Sequence, residues 1–270
     1  MPDASGLKTL AIIGTFIFLL VAERVLFPHG NVARINGARH LRHNAGLALL
    51  TVLLSRLWVI PLTLIAYNLS PEPMLLAHLL PAWAVWLVHF LVLDLWLYWW
   101  HRWNHTLPFL WRFHAVHHRD DALDVTTAFR FHVGEVFLSA LPRGAIVFAL
   151  GIPLSHVLIY EGFVALHSAF HHANISLPKK LECWVRPIFI TPTMHWVHHN
   201  PRQQDTDSNY GATLSLWDML FGSYNTRPAP PEQPMGIEGF VREEPTFSGL
   251  LFQPFQNQAM LYQNKHKKPE

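Results

Sequence analysis

Cysteine is nearly missing from this chain. Cys183 is the only one in 270 residues, which excludes an internal disulfide framework and any zinc or iron–sulfur site built from thiolates. Charge is also scarce. Asp, Glu, Lys and Arg make up 14% of the residues and the net charge is +2, so there is no broad basic surface and no nucleic-acid partner is expected. The Glu and Glu-x-x-His boxes that hold metal in soluble di-iron bundles are absent. No small-residue cleavage site follows the first apolar run, so that run reads as a helix that stays and not as a signal peptide. There is no internal repeat beyond a recurring histidine pattern.

Apolar residues fill the space that charge leaves. Hydrophobic residues make up 51% of the chain, with 11 Trp and 18 Phe, which suits a membrane protein better than an ordinary soluble domain. Apolar runs occupy 7–27, 45–67 and 74–100, each about the 20 residues that cross a bilayer core. Arg56 and Pro61 interrupt the second run, and Asp94 is the first acid in the third. A further apolar stretch at 136–170 contains Gly151 and Pro153 near its middle and reads as a hairpin of two helices. The loop at 28–44 carries Arg34, Arg39 and Arg42, whereas 68–73 has no Lys or Arg. The positive-inside rule therefore puts the first loop in the cytoplasm and the second outside. The expected fold is all-α: a multi-pass helical membrane protein with a histidine-rich cap on the cytosolic side. Residues 1–73 would form N-terminal spans, 74–226 a histidine-box domain that includes the hairpin, and 227–270 a Pro-rich polar tail.

The cap is expected to hold metal. The stretch from Asp94 to Glu135 contains His101 and His105, then His114, His117 and His118, and His132 as an outlier. HSAFHH supplies His167, His171 and His172, and HWVHH supplies His195, His198 and His199. Spacings of three and four stack imidazoles on one helix face. One such histidine reads as an ordinary core residue. Four grouped sets would desolvate badly and repel one another on titration, a problem that shared metal coordination removes, since neutral imidazole is a common ligand. His29, His40, His43, His78, His89, His156 and His266 have no grouped partners and receive no role.

HRWNH, HAVHH, HSAFHH and HWVHH, in this order between apolar runs, resemble the fatty acid hydroxylase and sterol desaturase superfamily. The intervening DVTTA (124–128), RFH (130–132), TDSNYG (206–211) and LSLWD (214–218) are similar to its bacterial members. The resemblance covers about 90–225. It implies a non-haem di-iron centre facing the cytosol, with O2 as co-substrate, acting on a C–H bond of a sterol or of a fatty acyl or alkyl lipid. Zinc can occupy such sites in purified samples. No fused cytochrome domain is visible, so the electron donor (a ferredoxin, cytochrome or reductase) would act in trans. A bacterial inner membrane is the expected location, ahead of the endoplasmic reticulum.

Ten imidazoles give two irons about five nitrogen ligands each and leave a position open for O2, whereas structural zinc needs only four ligands. The expected ligands are His101, His105, His114, His117, His118, His167, His171, His195, His198 and His199. His172 is the alternative to His171, because neighbouring helical residues point about 100° apart. A ligating imidazole usually donates its other N–H to a carboxylate or carbonyl. Asp94, His132, Asp124, Asp207 and Asn209 are the expected outer partners, with Asp120, Asp121 and Glu135 as further candidates. Asp94 lies two turns before His101 and either orients a ring or pairs with Arg56. Trp96, Tyr98, Trp99, Trp100 and Trp103 form either an interfacial aromatic belt or the wall of a lipid tunnel. Two other functions are weighed. A three-box acyl-lipid desaturase would open with HxxxxH, not HxxxH, and would lack the fourth group. A metal transporter would place its ligands near midplane.

Overall fold

The computed structural model describes residues 4–26, 28–29, 35–71, 75–237 and 245–256. Residues 30–34 and 72–73 of the two expected loops, and 238–244 and 257–270 of the expected tail, lie outside these. Among the described residues the fold is all-helical. It has no β-strand, only isolated bridges pairing Pro28 with Ile175 and Phe189 with Leu214. Three helices are long and apolar enough to cross a membrane: α2 (Ala38–Asn68), α3 (Ala82–Thr106) and α5 (Val133–Leu150). The run at 7–27 forms α1 (Ala4–Val21) and a π-helical turn (Ala22–Leu26), and is not one of those three.

The turns explain why the histidine groups meet. α3 stops at Thr106 because Pro108 restricts Leu107 to extended backbone (φ −97°, ψ 117°), and Pro108 then opens α4 (Pro108–His118) at its first position. The reversal lays α4 against the histidine-bearing end of α3. The stretch at 136–170 is a helical hairpin. α5 ends on Gly151, whose φ of +59° gives the left-handed cap that glycine adopts without penalty. Pro153 then precedes α6 (Leu154–His172). Arg143, in the first arm, is offset by Glu161 on the second at 2.7 Å. α6 returns His171 and His172 to the end from which α5 began.

Ala66, Leu93, Val147, Ile152, Val157 and Tyr160 make one buried cluster that joins α2, α3, α5 and α6. Beyond the bundle the cap is built from short helices: α7 (Lys179–Val185), α8 (Pro192–His198), α9 (Gln203–Thr206) and α10 (Leu216–Leu220), with α11 (Phe247–Phe252) packed on α4. Pro192 begins α8, and Thr191 caps it by accepting from the Met194 N–H. The start of the Pro-rich segment is extended but not loose. Ala229 and Met235 are buried against Leu123, Trp196 and Val197, and the Gly236 N–H donates to the His199 carbonyl at 3.2 Å.

Charged side chains anchor α1 to the cap. Glu23 is fully buried. It accepts from the Val125 and Asn174 N–H groups at 2.9 and 3.1 Å and pairs with Arg24, which also reaches Asp124 at 2.6 Å.

Candidate metal centre

Nine histidines converge in two adjoining groups. One ring nitrogen each from His101, His105, His114, His118 and His198 lie within 4.8 Å of one another, and the same holds for His117, His172, His195 and His199. Two helices straddle both groups. α4 sends His114 and His118 to the first and His117 to the second. α8 sends His198 to the first and His195 to the second, with His199 just past its end. The i, i+3 and i+4 spacing thus divides a helix face between two sites. The groups touch where the His118 and His199 rings stack, 4.3 Å apart.

The outer hydrogen bonds determine which nitrogen faces inward. His101 Nδ1 lies 2.8 Å from the Tyr210 carbonyl, His198 Nδ1 2.7 Å from the Ser208 carbonyl and His172 Nδ1 2.8 Å from the Ser168 carbonyl. Carbonyl oxygen only accepts, so each Nδ1 carries the proton and each Nε2 keeps its lone pair. His114 Nδ1 likewise donates to Glu135 Oε1 at 3.0 Å, and Asn104 Nδ2 holds that same oxygen at 3.1 Å. Asp207 Oδ1 sits 3.5 Å from His105 Nδ1. One stretch, 207–210, therefore faces three of the five rings of the first group.

Within the second group the Nε2 atoms face each other. His117 and His172 are 3.1 Å apart, His172 and His195 2.9 Å, and His195 and His199 3.1 Å. Neutral rings cannot make all three contacts hydrogen bonds. His172 Nε2 has no proton, so His195 must donate to it. The one proton of His195 is then spent and no lone pair is left to accept from His199. Adding protons does not help. Burial first, and the neighbouring rings second, push the His117, His195 and His199 imidazoles well below their ordinary range. Four lone pairs shared by one cation remove the conflict, and nitrogens about 2.0–2.1 Å from one ion sit about 3 Å apart. In the first group, the buried His101 Nε2, His114 Nε2 and both nitrogens of His118 have no hydrogen-bond partner. The residues fit a pair of metal ions, and an all-imidazole donor set suits iron, zinc or copper.

The expected ligands do not all come together. His167 and His171 fall outside both groups, and His172 takes the place held open for it. His167 bonds the Ile190 backbone and stacks over Phe163. His171 lies beside the second group, its ring 4.2 Å from that of His195.

Several expected outer partners serve other purposes. Asp94 touches neither a histidine nor Arg56, which is exposed. It accepts from Tyr160 Oη, Trp217 Nε1 and the Leu214 N–H at 3.2, 2.9 and 3.2 Å, tying α3 to α6 and the 214–217 segment. Asp124 bonds Arg24, Thr126 and His40. His132 caps α5 through the Gly134 N–H and bonds the Leu251 carbonyl, so both its nitrogens are engaged away from the groups. Asn209 reaches no ring. It adopts φ +52° and bonds Met194 O and both backbone groups of Asn225, which holds the carbonyls on either side of it in place. Sequence reasoning missed the Ser168, Ser208 and Tyr210 carbonyls, because a backbone acceptor leaves no mark in residue identity. The TDSNYG string contains Ser208 and Tyr210, and Ser168 lies within HSAFHH.

The tryptophans also resolve. At about 100° per residue, positions 94, 98, 101 and 105 share one face of α3, and 92, 96, 99 and 103 the opposite one. Val92, Leu95, Trp96, Trp99, Trp103 and Ile146 line an open apolar groove on that far side. It opens on the side of α3 away from the histidines.

Comparison with known proteins agrees with the boxes. The sequence model of the family "Fatty acid hydroxylase" matches residues 86–223. Ornithine lipid hydroxylase OlsE of Rhizobium tropici is 33% identical over 162 residues, 59% of this chain and 46% of that one. Alkylglycerol monooxygenase of Danio rerio is 34% identical over 166 residues, 62% of this chain and 35% of that one. Lathosterol oxidase of Mus musculus is 31% identical over 135 residues, 48% and 42% of the two chains. The matched region is thus under half the length of each of these relatives. No solved structure matches.

Proposed function

We propose, from the premise that this chain belongs to the fatty acid hydroxylase family, that it is an O2-dependent di-iron membrane oxidoreductase that hydroxylates or desaturates a lipid C–H bond. The observation that carries the reading is the pair of adjoining, buried histidine groups close to the ends of apolar helices. His101, His105, His114, His118 and His198 would hold one ion. His117, His172, His195 and His199 would hold the other, with His171 beside them. Iron bound there supplies the one-electron chemistry that O2 reduction needs.

The chain's own residues orient and seclude. Tyr210 O, Ser208 O, Ser168 O and Glu135 fix four rings with Nε2 inward. Burial, and the neighbouring rings after it, hold His117, His118, His195 and His199 well below the ordinary imidazole range, and a buried site excludes water. An acyl or alkyl lipid is favoured over a sterol, because the relatives named for ornithine lipid and alkylglycerol align over more of this chain than the one named for lathosterol. In this reading 1–73 anchors the chain, 74–226 carries the reaction and 227–270 is a tail whose first part braces the cap. The site faces the cytoplasm of a bacterial inner membrane and draws electrons from a separate donor.

The test is lipid mass spectrometry of cells that express the parent chain or His118→Ala, together with the iron content of the purified proteins. A parent-specific lipid shifted by +16 or −2 mass units, with iron in the parent, is expected. Identical lipid profiles, with iron present in the parent, would sink the reading.

A further inference from the structure

We propose that the α7–α10 edge of the cap is a membrane-interface platform that lies in the headgroup layer of the leaflet where α3 ends. Single exposed apolar residues are ordinary on any protein. A contiguous set is not. Trp184 is 80% exposed, and Ile188, Leu216, Met219, Leu220 and Phe221 are exposed with it. Backbone pairing makes them neighbours: the Ser215 N–H donates to the Ile188 carbonyl at 3.1 Å and the Ile190 N–H to the Thr213 carbonyl at 2.9 Å.

The patch continues the lipid-facing side of α3. The Phe221 ring lies 5.0 Å from that of Trp99, and Arg102 bridges the two by donating to the Phe221 carbonyl while its guanidinium covers the Trp99 ring. The platform therefore begins where the aromatic belt ends, at the depth where apolar bodies with polar rims are stable. Its charge suits anionic headgroups. Lys179 and Lys180 are exposed at the start of α7. Glu182, the only acid on that helix, is turned inward to accept from Thr191 Oγ1 at 2.6 Å. Basic residues at such a surface are drawn to anionic lipid. The occupant is thus the bilayer itself.

The exposed Cys183 is the chain's only cysteine, so it reports from the middle of the platform without any substitution. The full chain, labelled at Cys183 with an environment-sensitive fluorophore, is placed in nanodiscs of phosphatidylcholine with phosphatidylglycerol. Nitroxide lipids should quench the label and aqueous iodide should not. Trp184→Glu with Leu220→Glu should reverse the two sensitivities at unchanged metal content. Lys179→Glu with Lys180→Glu should abolish the extra nitroxide quenching seen in anionic over neutral nanodiscs. A label in the parent chain that iodide quenches freely and nitroxide lipids leave untouched would overturn the proposal and leave the surface to a protein partner.

Discussion

Glu135→Gln tests how far one carboxylate sets the metal affinity of the first group. Glu135 is buried, and its Oε1 takes both the His114 Nδ1 proton and one from Asn104, whereas Oε2 has no partner. Glutamine has the same shape but must choose. If its oxygen faces His114, its amide nitrogen occupies the Oε2 position as a buried donor without a partner, at about 1–3 kcal/mol. If its nitrogen faces His114, the ring must accept at Nδ1 and carry its proton on Nε2, which removes the inward lone pair. Either way the carboxylate charge beside the ring is gone. Loss of such a partner typically costs about 10–100-fold in metal affinity, or about 1.4–2.8 kcal/mol. The assay is competition against chelators of graded affinity in nanodiscs, with circular dichroism to verify the fold. Affinity within twofold of the parent in a folded variant would refute the orienting role.

The remaining expectations follow from the same geometry. His172→Ala should lose one of two bound metals, while His171→Ala keeps more of it; metal analysis of both, with the reverse order, would return His171 to the ligand set. Asp94→Asn should keep its metal and lose about 1–3 kcal/mol of stability through weakened bonds to Tyr160, Trp217 and the Leu214 N–H; metal loss at unchanged Tm would contradict this. Because burial, then neighbouring rings, depress the His117, His118, His195 and His199 imidazoles in the fold, the unfolded chain binds more protons once pH drops below about 6.5. The metal-free protein should therefore lose stability steadily as pH falls from 7.5 to 5.5, and a flat Tm over that range would count against buried neutral rings.

What was legible in the sequence follows from what each signal encodes. Apolar runs and histidine spacing report helix faces directly, so the helices carrying His101, His114 and His195 were readable, as was the hairpin punctuated by Gly151 and Pro153. Spacing cannot say which of two adjacent residues points inward, so His171 and His172 stood as alternatives, and the structure groups His172 with His117, His195 and His199. Spacing also cannot place His167, one turn before His171 on the same helix, because bundle geometry decides how far along α6 the site reaches. Asp94 was misread because its heptad offset from His101 is a fact about one helix. Its partners, Trp217 and Leu214, lie more than a hundred residues further along the chain. Glu23 and Glu182, to which the sequence assigns no role, turn inward because other segments offer them donors: the Val125 and Asn174 N–H groups for the one and Thr191 Oγ1 for the other.

The way α4 and α8 divide their histidines has a consequence for biogenesis. Every histidine that the first group draws from α3 and α4 has been synthesised by residue 118, but the group is completed by His198 and held by the carbonyls of Ser208 and Tyr210. While the chain is still emerging from the ribosome, the early rings can sit at the membrane surface with their tautomers unset and their acceptors not yet made. Metal captured then would meet an incomplete and mobile donor set, open to whichever cation is most abundant. On the proposed function, loading with the right ion would be a late event, gated by closure of the last boxes over the first. A nonsense codon between residues 172 and 198 would leave the apolar helices in place but remove His198 and the carbonyls that complete the first group.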